Sequence, residues 1–159
     1  MTRRAAVLVA STRAAASTYE DRTGPAIADW LRSRGFEVVG PIVVADAVIA
    51  DALSEQLAQH PHLILTTGGT GVSPDDRTPE ATRALLDMEL PGIAEEVRRR
   101  GTEVTPSAIL SRAIAGVAGR TLVMNLPGSS GGVRDGLAVL GDVLDHLLDQ
   151  IAGGDHPGH

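Results

Sequence analysis

His62-Leu63-Ile64-Leu65-Thr66-Thr67 followed by Gly68-Gly69-Thr70-Gly71 is the stretch on which the fold turns. A short apolar run rich in branched residues reads as a buried strand, and the glycines end it in a loop where the backbone is bare. Upstream, Ile49, Leu53 and Leu57 sit four apart, a helical stripe that stops before Pro61. Before that helix, Glu37 to Val44 is strand-like, with Gly40-Pro41 marking a bend or an edge position. Ala5 to Ala10 is a further buried strand. After a long polar loop, Thr23 is placed to cap a helix that carries Pro25 in its first turn and Ile27, Trp30 and Leu31 on one face, up to Gly35.

Downstream, Pro79 to Leu90 and Pro91 to Arg100 both read as helices, separated by Pro91-Gly92. Thr105-Pro106-Ser107 can cap a short helix through Leu110, and Arg120 to Asn125 reads as the last strand. A long helix over Val133 to Ile151 follows, with Leu137, Leu140, Leu144, Leu147, Leu148 and Ile151 on its apolar stripe and Asp135, Asp142, Asp145 and Asp149 mainly on its wet face. Strands alternating with helices predict a three-layer α/β/α domain over 1–152 with a mostly parallel sheet, and a disordered tail over 153–159. In such sheets the ligand crevice lies outside the carboxyl ends of the strands.

Composition narrows the chemistry. The 159 residues contain no Cys, which removes disulfides, thiolate nucleophiles and cysteine metal sites. All basic residues are Arg, so Schiff-base catalysis and a P-loop lysine are also excluded. A net charge of −6 and only Trp30, Tyr19 and Phe36 as aromatics argue against a nucleic-acid surface. No apolar run approaches the roughly 18 residues of a membrane span, and the amino-terminal stretch lacks a secretory pattern, so a cytoplasmic protein is expected.

Three features fall at predicted strand ends: Asp46, the loop Thr66 to Gly71, and Asn125-Leu126-Pro127-Gly128-Ser129. Either glycine loop alone could be a tight turn. Together, their N–H groups and hydroxyls also suit a phosphate cradle. The first strand ends in Ser11-Thr12-Arg13 rather than GxGxxG, which argues against a dinucleotide fold. Asp75 and Asp76 precede the helix signal Thr78-Pro79-Glu80, and they either cap that helix or hold Mg²⁺ against phosphate.

These motifs resemble the MoaB/Mog family of molybdenum cofactor biosynthesis proteins. The resemblance rests on Thr66 to Gly71, Asp76-Arg77-Thr78-Pro79-Glu80-Ala81-Thr82 and Asn125-Leu126-Pro127-Gly128-Ser129. It extends to Asp21-Arg22-Thr23-Gly24, Val44-Ala45-Asp46, Leu110-Ser111-Arg112 and Ala115-Gly116, roughly Arg4 to Ile151. It implies a molybdopterin-binding fold, usually trimeric, and in the active branch a Mg²⁺-dependent adenylyltransferase that joins molybdopterin to the AMP part of ATP and releases pyrophosphate. It further implies Asp46 and Asp76 as catalytic and metal-holding residues. Thr67, Gly68, Gly69, Thr70, Gly71, Pro127, Gly128, Ser129, Ser11 and Arg112 are implied to hold the substrates, and a molybdate-inserting protein to take the product.

Two positions depart from the family pattern. Ser130-Gly131-Gly132 stands where Pro-Lys often follows the Pro-Gly-Ser element, and Asp75 stands where an Arg is common. Arg77, Arg13, Arg112 and Arg134 are the candidate replacements. The alternative these departures imply is a molybdopterin-binding paralogue without catalysis. His60, His62, His146, His156 and His159 lack metal-ligand spacing, and Arg98-Arg99-Arg100 is expected to complement a helix end.

Overall fold

The computed structural model describes residues 2–17 and 20–154. Three strands carry the load: β1 (Arg4–Ala10), β3 (Leu63–Thr67) and β6 (Thr121–Leu126). They are buried on both faces, apart from Arg4 at the start of β1, which is why their sequences are continuous apolar runs instead of alternating ones. With β2 (Glu37–Val44), β4 (Met88–Glu89) and β5 (Ala115–Ala118) they form one sheet in the order β2-β1-β3-β6-β5-β4. The pairs β1–β2, β1–β3 and β3–β6 are parallel, whereas β5 is antiparallel to both β6 and β4.

Side-chain alternation sends each strand to two cores. Val7, Leu63, Leu65, Leu122 and Met124 pack under α2 (Thr23–Ser33), α5 (Pro91–Thr102) and α6 (Ser130–Ile151). The intervening Ala6, Leu8, Ile64 and Val123 pack with Ile49 and Leu53 of α3 (Ile49–Leu57), and Ala81 of α4 (Thr78–Arg83) closes that side. The expected three layers are therefore present. A short α1 (Thr12–Ala15) follows β1 inside what the sequence reads as a loop.

Gly40-Pro41 does mark an edge. β2 is an outer strand, its Gly40–Pro41 bond is cis, and its register against β1 shifts between Ala6 and Leu8. Thr23 is not the cap of α2 but its first residue, and the Asp21 carboxylate accepts from Gly24 N–H at 3.0 Å instead.

The segment 79–90 departs most from expectation. Helix α4 stops at Arg83, and Met88–Glu89 becomes an edge strand because β5 claims its flanking backbone. Asp87 N–H donates to the Val117 carbonyl and Leu90 N–H to the Ala115 carbonyl, each at 2.8 Å. The single strand expected from Arg120 is thus preceded by β5, which the sequence reading misses. At the carboxyl end, Gly153 (φ +85°) and Gly154 close α6 by donating to the Gln150 and Asp149 carbonyls, at the start of the expected tail. The rest of that expectation, 155–159, lies outside the described residues.

Gly116 of β5 faces the Met88 carbonyl so closely that a Cβ could not be placed there without moving the β4 backbone. Gly116→Ala should therefore destabilise the protein by about 1–3 kcal/mol in urea unfolding, the usual cost of overpacking. Unchanged stability would show that the β4 edge yields freely.

Candidate active site at the carboxyl edge of the sheet

The sequence-predicted loops converge where β1, β3 and β6 end. Gly68 and Gly69 turn with φ of +86° and +67°, and a Cβ on Gly68 would overlap the Ala10 carbonyl at the end of β1. A Cβ on Gly128 would lie 3.4 Å from Gly68 Cα, so the two glycine loops are in contact. Thr67, fully buried, donates its hydroxyl to the Pro127 carbonyl at 2.8 Å and ties β3's end to the second loop. Beneath them, Asn125 donates to the Thr66 and Thr82 hydroxyls at 3.0 and 2.9 Å and accepts from Ile114 N–H at 3.2 Å. That buried amide is fully engaged, as a buried polar group must be.

The second loop runs into α6, whose N-cap is Ser129; its Oγ accepts from Gly132 N–H at 3.0 Å. A helix of 22 residues thus points its positive end at the site. Ser11 takes the equivalent place after β1, capping α1 by accepting from Ala14 N–H at 3.1 Å.

The two predicted aspartates flank the first glycine loop. Asp46 is half-buried, and its Oδ2 accepts from Thr12 N–H and Oγ–H at 3.3 and 2.9 Å while its own N–H donates back to Thr12 Oγ1 at 3.2 Å. Its Oδ1 faces Gly69, 3.0 Å from where a Cβ would stand. Asp76 Oδ2 accepts from Ser73 N–H at 3.1 Å and lies 2.7 Å from the corresponding point on Gly71. A side chain at either glycine would block a carboxylate. Among the described residues no three His, Cys, Asp or Glu side chains cluster as a metal site.

Two cavities meet over this floor. The larger, about 590 Å³, is lined by Gly68 to Val72, Asp76, Pro127 to Ser129, Arg134 and the wall formed by α5 and the 3₁₀ turn Pro106–Leu110. The smaller, about 270 Å³, is lined by Ser11, Asp21, Arg22, Thr23 and Thr67 among others. Gly68, Gly128 and Ser129 belong to both. Both fall near or within the size range of ligand pockets, roughly 300–1,000 Å³.

Of the expected site residues, Gly68 to Gly71, Pro127, Gly128, Ser129 and Asp76 line the larger cavity, and Ser11 and Thr67 the smaller. Asp46 borders the loop from the β2 side and lines neither. Arg112 stands behind the loop, its guanidinium spent on the Gly71 and Asp76 carbonyls at 2.7 and 3.1 Å and on Glu80 at 2.5 and 2.9 Å. It holds the Asp76 segment and does not project into either cavity. Of the other candidate basic residues, Arg134 lines the larger cavity and Arg77 is exposed beside α4.

Sequence reasoning misses Arg22, Arg98, Val104 and Leu110 as cavity walls. Arg98 turns inward to donate to the Ser111 and Ala113 carbonyls at 3.1 and 2.8 Å. Arg99 and Arg100 stay at the helix surface, where they hold the Glu96 carboxyl down to about 2. Val104 and Leu110 are exposed aliphatic residues that carry no mark in the sequence, since only the packing of α5 beside the 3₁₀ turn brings them to the cavity.

Paired glycine loops beneath a long helix's positive end, with a carboxylate beside Gly69 and another beside Gly71, mark the carboxyl edge of this α/β domain as its candidate ligand site. Residues 6–146 match the family described as "Probable molybdopterin binding domain". A protein of Synechococcus elongatus named molybdenum cofactor biosynthesis bifunctional protein is 42% identical over 96% of this chain, which spans 48% of that longer protein. The molybdopterin adenylyltransferase of Escherichia coli is 36% identical over 87% of this chain and 73% of its own length. Among solved structures, the Mog protein of Mycobacterium ulcerans has a TM-score of 0.90 at 53% identity, covering 94% of this chain and 99% of that one. MoaB of Thermus thermophilus has a TM-score of 0.86 at 44% identity, over 95% and 97%. The chain belongs to the MoaB/Mog family of molybdenum cofactor biosynthesis proteins, as the motifs indicate.

The Arg112 hydrogen bond, reinforced by attraction to Arg112 and Arg83, holds the Glu80 carboxyl below its ordinary value. Its folded pKa is therefore depressed, so the clamp stabilises fully above the ordinary carboxylate range and is lost as pH falls through the lowered value. The stability gap between wild type and Glu80→Gln should shrink on acidification through that window. A gap that stays constant with pH in thermal melts would mean Glu80 adds no charge-dependent hold on the loop.

Proposed function

We propose that this chain is a molybdopterin adenylyltransferase. The observation that carries the reading is the meeting of two cavities at Gly68, Gly128 and Ser129, which gives two phosphorylated substrates separate pockets and a common floor. In the reaction, a terminal phosphate oxygen of molybdopterin forms a bond to the α-phosphorus of ATP. The bond from that phosphorus to the bridging oxygen of the β-phosphate breaks, and pyrophosphate leaves with the electron pair. No covalent enzyme intermediate is required.

Bringing two anions together is the main barrier, so the protein's work is positioning and charge neutralisation. The N–H groups of Gly69 to Gly71 and of Gly128 to Gly131 supply donors that need no reorganisation, those of Gly68 and Gly132 being engaged by the Leu126 carbonyl and Ser129 Oγ. Arg134 in the larger cavity and Arg22 in the smaller supply positive charge. Thr12 fixes one oxygen of Asp46 and Ser73 N–H fixes one of Asp76, leaving the other oxygen of each to act.

The donor set fits Mg²⁺, which is ordinarily held by one or two carboxylates together with substrate phosphates. Asp46 and Asp76 would hold it, and when bound it would neutralise phosphate oxygens and the departing pyrophosphate. The family resemblance further supports a homotrimer acting in the cytoplasm and passing its product to a molybdate-inserting protein. The described helices include none long and apolar enough to cross a membrane.

Protein incubated with molybdopterin, ATP and Mg²⁺ should yield adenylylated molybdopterin and pyrophosphate. Asp46→Asn and Asp76→Asn should each lower turnover by at least about 100-fold, as loss of a transition-state charge partner does, with molybdopterin affinity little changed. The binding-only alternative is favoured by Ser130-Gly131-Gly132, which brings no basic side chain to the second loop. It would show itself as molybdopterin affinity in folded protein with no ATP-dependent product.

A further inference from the structure

Thr78 opens α4, two residues after Asp76, and is fully buried. Its N–H donates to the Gly69 carbonyl at 3.1 Å, but its hydroxyl has no hydrogen-bond partner among the described residues. A buried hydroxyl left without a partner costs about 1–3 kcal/mol, and Val would fill the same volume without that cost. The hydroxyl lies against Gly69, on the side where Asp46 Oδ1 also lies. Both oxygens are within 3.0 Å of the point a Gly69 Cβ would occupy, yet they are not bonded to each other.

An unpartnered donor and an unused carboxylate oxygen beside one bare glycine are two groups that a single bridging water would satisfy together. We propose that Thr78 is a positioning residue for Asp46: its hydroxyl donates to one buried water, which in turn donates to Asp46 Oδ1. The proposal deepens the adenylyltransferase reading and rests on it for its kinetic part. Being fully buried, the Thr78 hydroxyl cannot touch a nucleotide or pterin, so its influence runs through Asp46. Thr12 then fixes one oxygen of that carboxylate and the water fixes the orientation of the other. Since Thr78 is also two residues from Asp76, the same link sets one aspartate's segment against the other.

The test uses the full chain with Thr78→Val and Thr78→Ser. A crystal structure of the substrate-free protein should show one water within hydrogen-bond distance of both Thr78 Oγ1 and Asp46 Oδ1. Thr78→Val should melt at a lower temperature than wild type. Outer-shell partners of this kind typically carry 10–100-fold in activity; Thr78→Val should lower kcat by about tenfold with the KM for ATP near wild type, and Thr78→Ser should restore it. In an Asp46→Asn background, Thr78→Val should add little further loss, because both act through one group.

An empty gap, a metal ion ligated by Thr78 Oγ1, or a Thr78→Val protein as stable as wild type or more so would overturn the proposal. Wild-type turnover retained by Thr78→Val would do the same. If wild type itself makes no product, the crystallographic and melting measurements still decide the water, while an empty gap in an active enzyme leaves the adenylyltransferase reading intact.

Discussion

At Gly68 the backbone turns with φ +86° against the Ala10 carbonyl, in a space that no Cβ can enter. That close approach is the constraint on which the site depends. It lets the loop after β3 fold over the end of β1 and bring Gly68 against Gly128, so the loops of two adjacent strands become one floor. The Thr67 hydroxyl on the Pro127 carbonyl and the Asn125 amide between Thr66 and Thr82 then lock the arrangement from below.

Absence of lysine gives this floor its chemical character. Two unit charges 4 Å apart interact by about 4 kcal/mol at the effective dielectric of a protein surface, so juxtaposed phosphates need several compensating donors. Arginine supplies fewer than the sequence suggests. Arg112 is consumed in holding Gly71, Asp76 and Glu80, and Arg98 is consumed on the carbonyls of Ser111 and Ala113. Arg112 spends its planar fork in a way that lysine could not reproduce, whereas Arg98 meets both of its carbonyls through Nη1. In the proposed reaction the positive end of α6 and the loop N–H groups would therefore carry more of the neutralisation than the count of basic residues implies.

Much of this was legible in the sequence, for identifiable reasons. β1, β3 and β6 are buried on both faces apart from Arg4 and so are written mostly in Val, Ile, Leu, Ala and Thr; α3 and α6 carry one-sided stripes. β4 and β5 were not legible. Two residues of β4 and the Ala-Gly-Val-Ala of β5 have too little pattern to outweigh the helical spacing of Ala81, Leu85 and Met88, and their pairing is decided by contacts distant in sequence. At the site, the glycines stood out because the geometry permits nothing else there. Arg98, Val104 and Leu110 did not, since only the packing of α5 beside the 3₁₀ turn brings them to the cavity. The engagement of Arg112 with Gly71, Asp76 and Glu80 was not legible either, because a motif shows that a residue is needed near a site without showing which way its side chain is spent.

The two aspartates illustrate the same division between residue type and use. Each carboxylate keeps one oxygen tied, Asp46 to Thr12 of α1 and Asp76 to Ser73 N–H of its own segment, so neither can swing without breaking a hydrogen bond. Each carboxylate also lies against a glycine, Asp46 through its other oxygen at Gly69 and Asp76 through the tied oxygen at Gly71, where a side chain would obstruct it. The pattern Gly-Gly-Thr-Gly is thus fixed from two directions at once. Gly68 is bare to clear the strand end, Gly69 and Gly71 are bare to clear the carboxylates, and Thr70, whose carbonyl accepts from Arg112 N–H at 2.8 Å, is buried where the loop is anchored to the segment behind it. A loop that served only as a turn would need the first of these conditions and not the others.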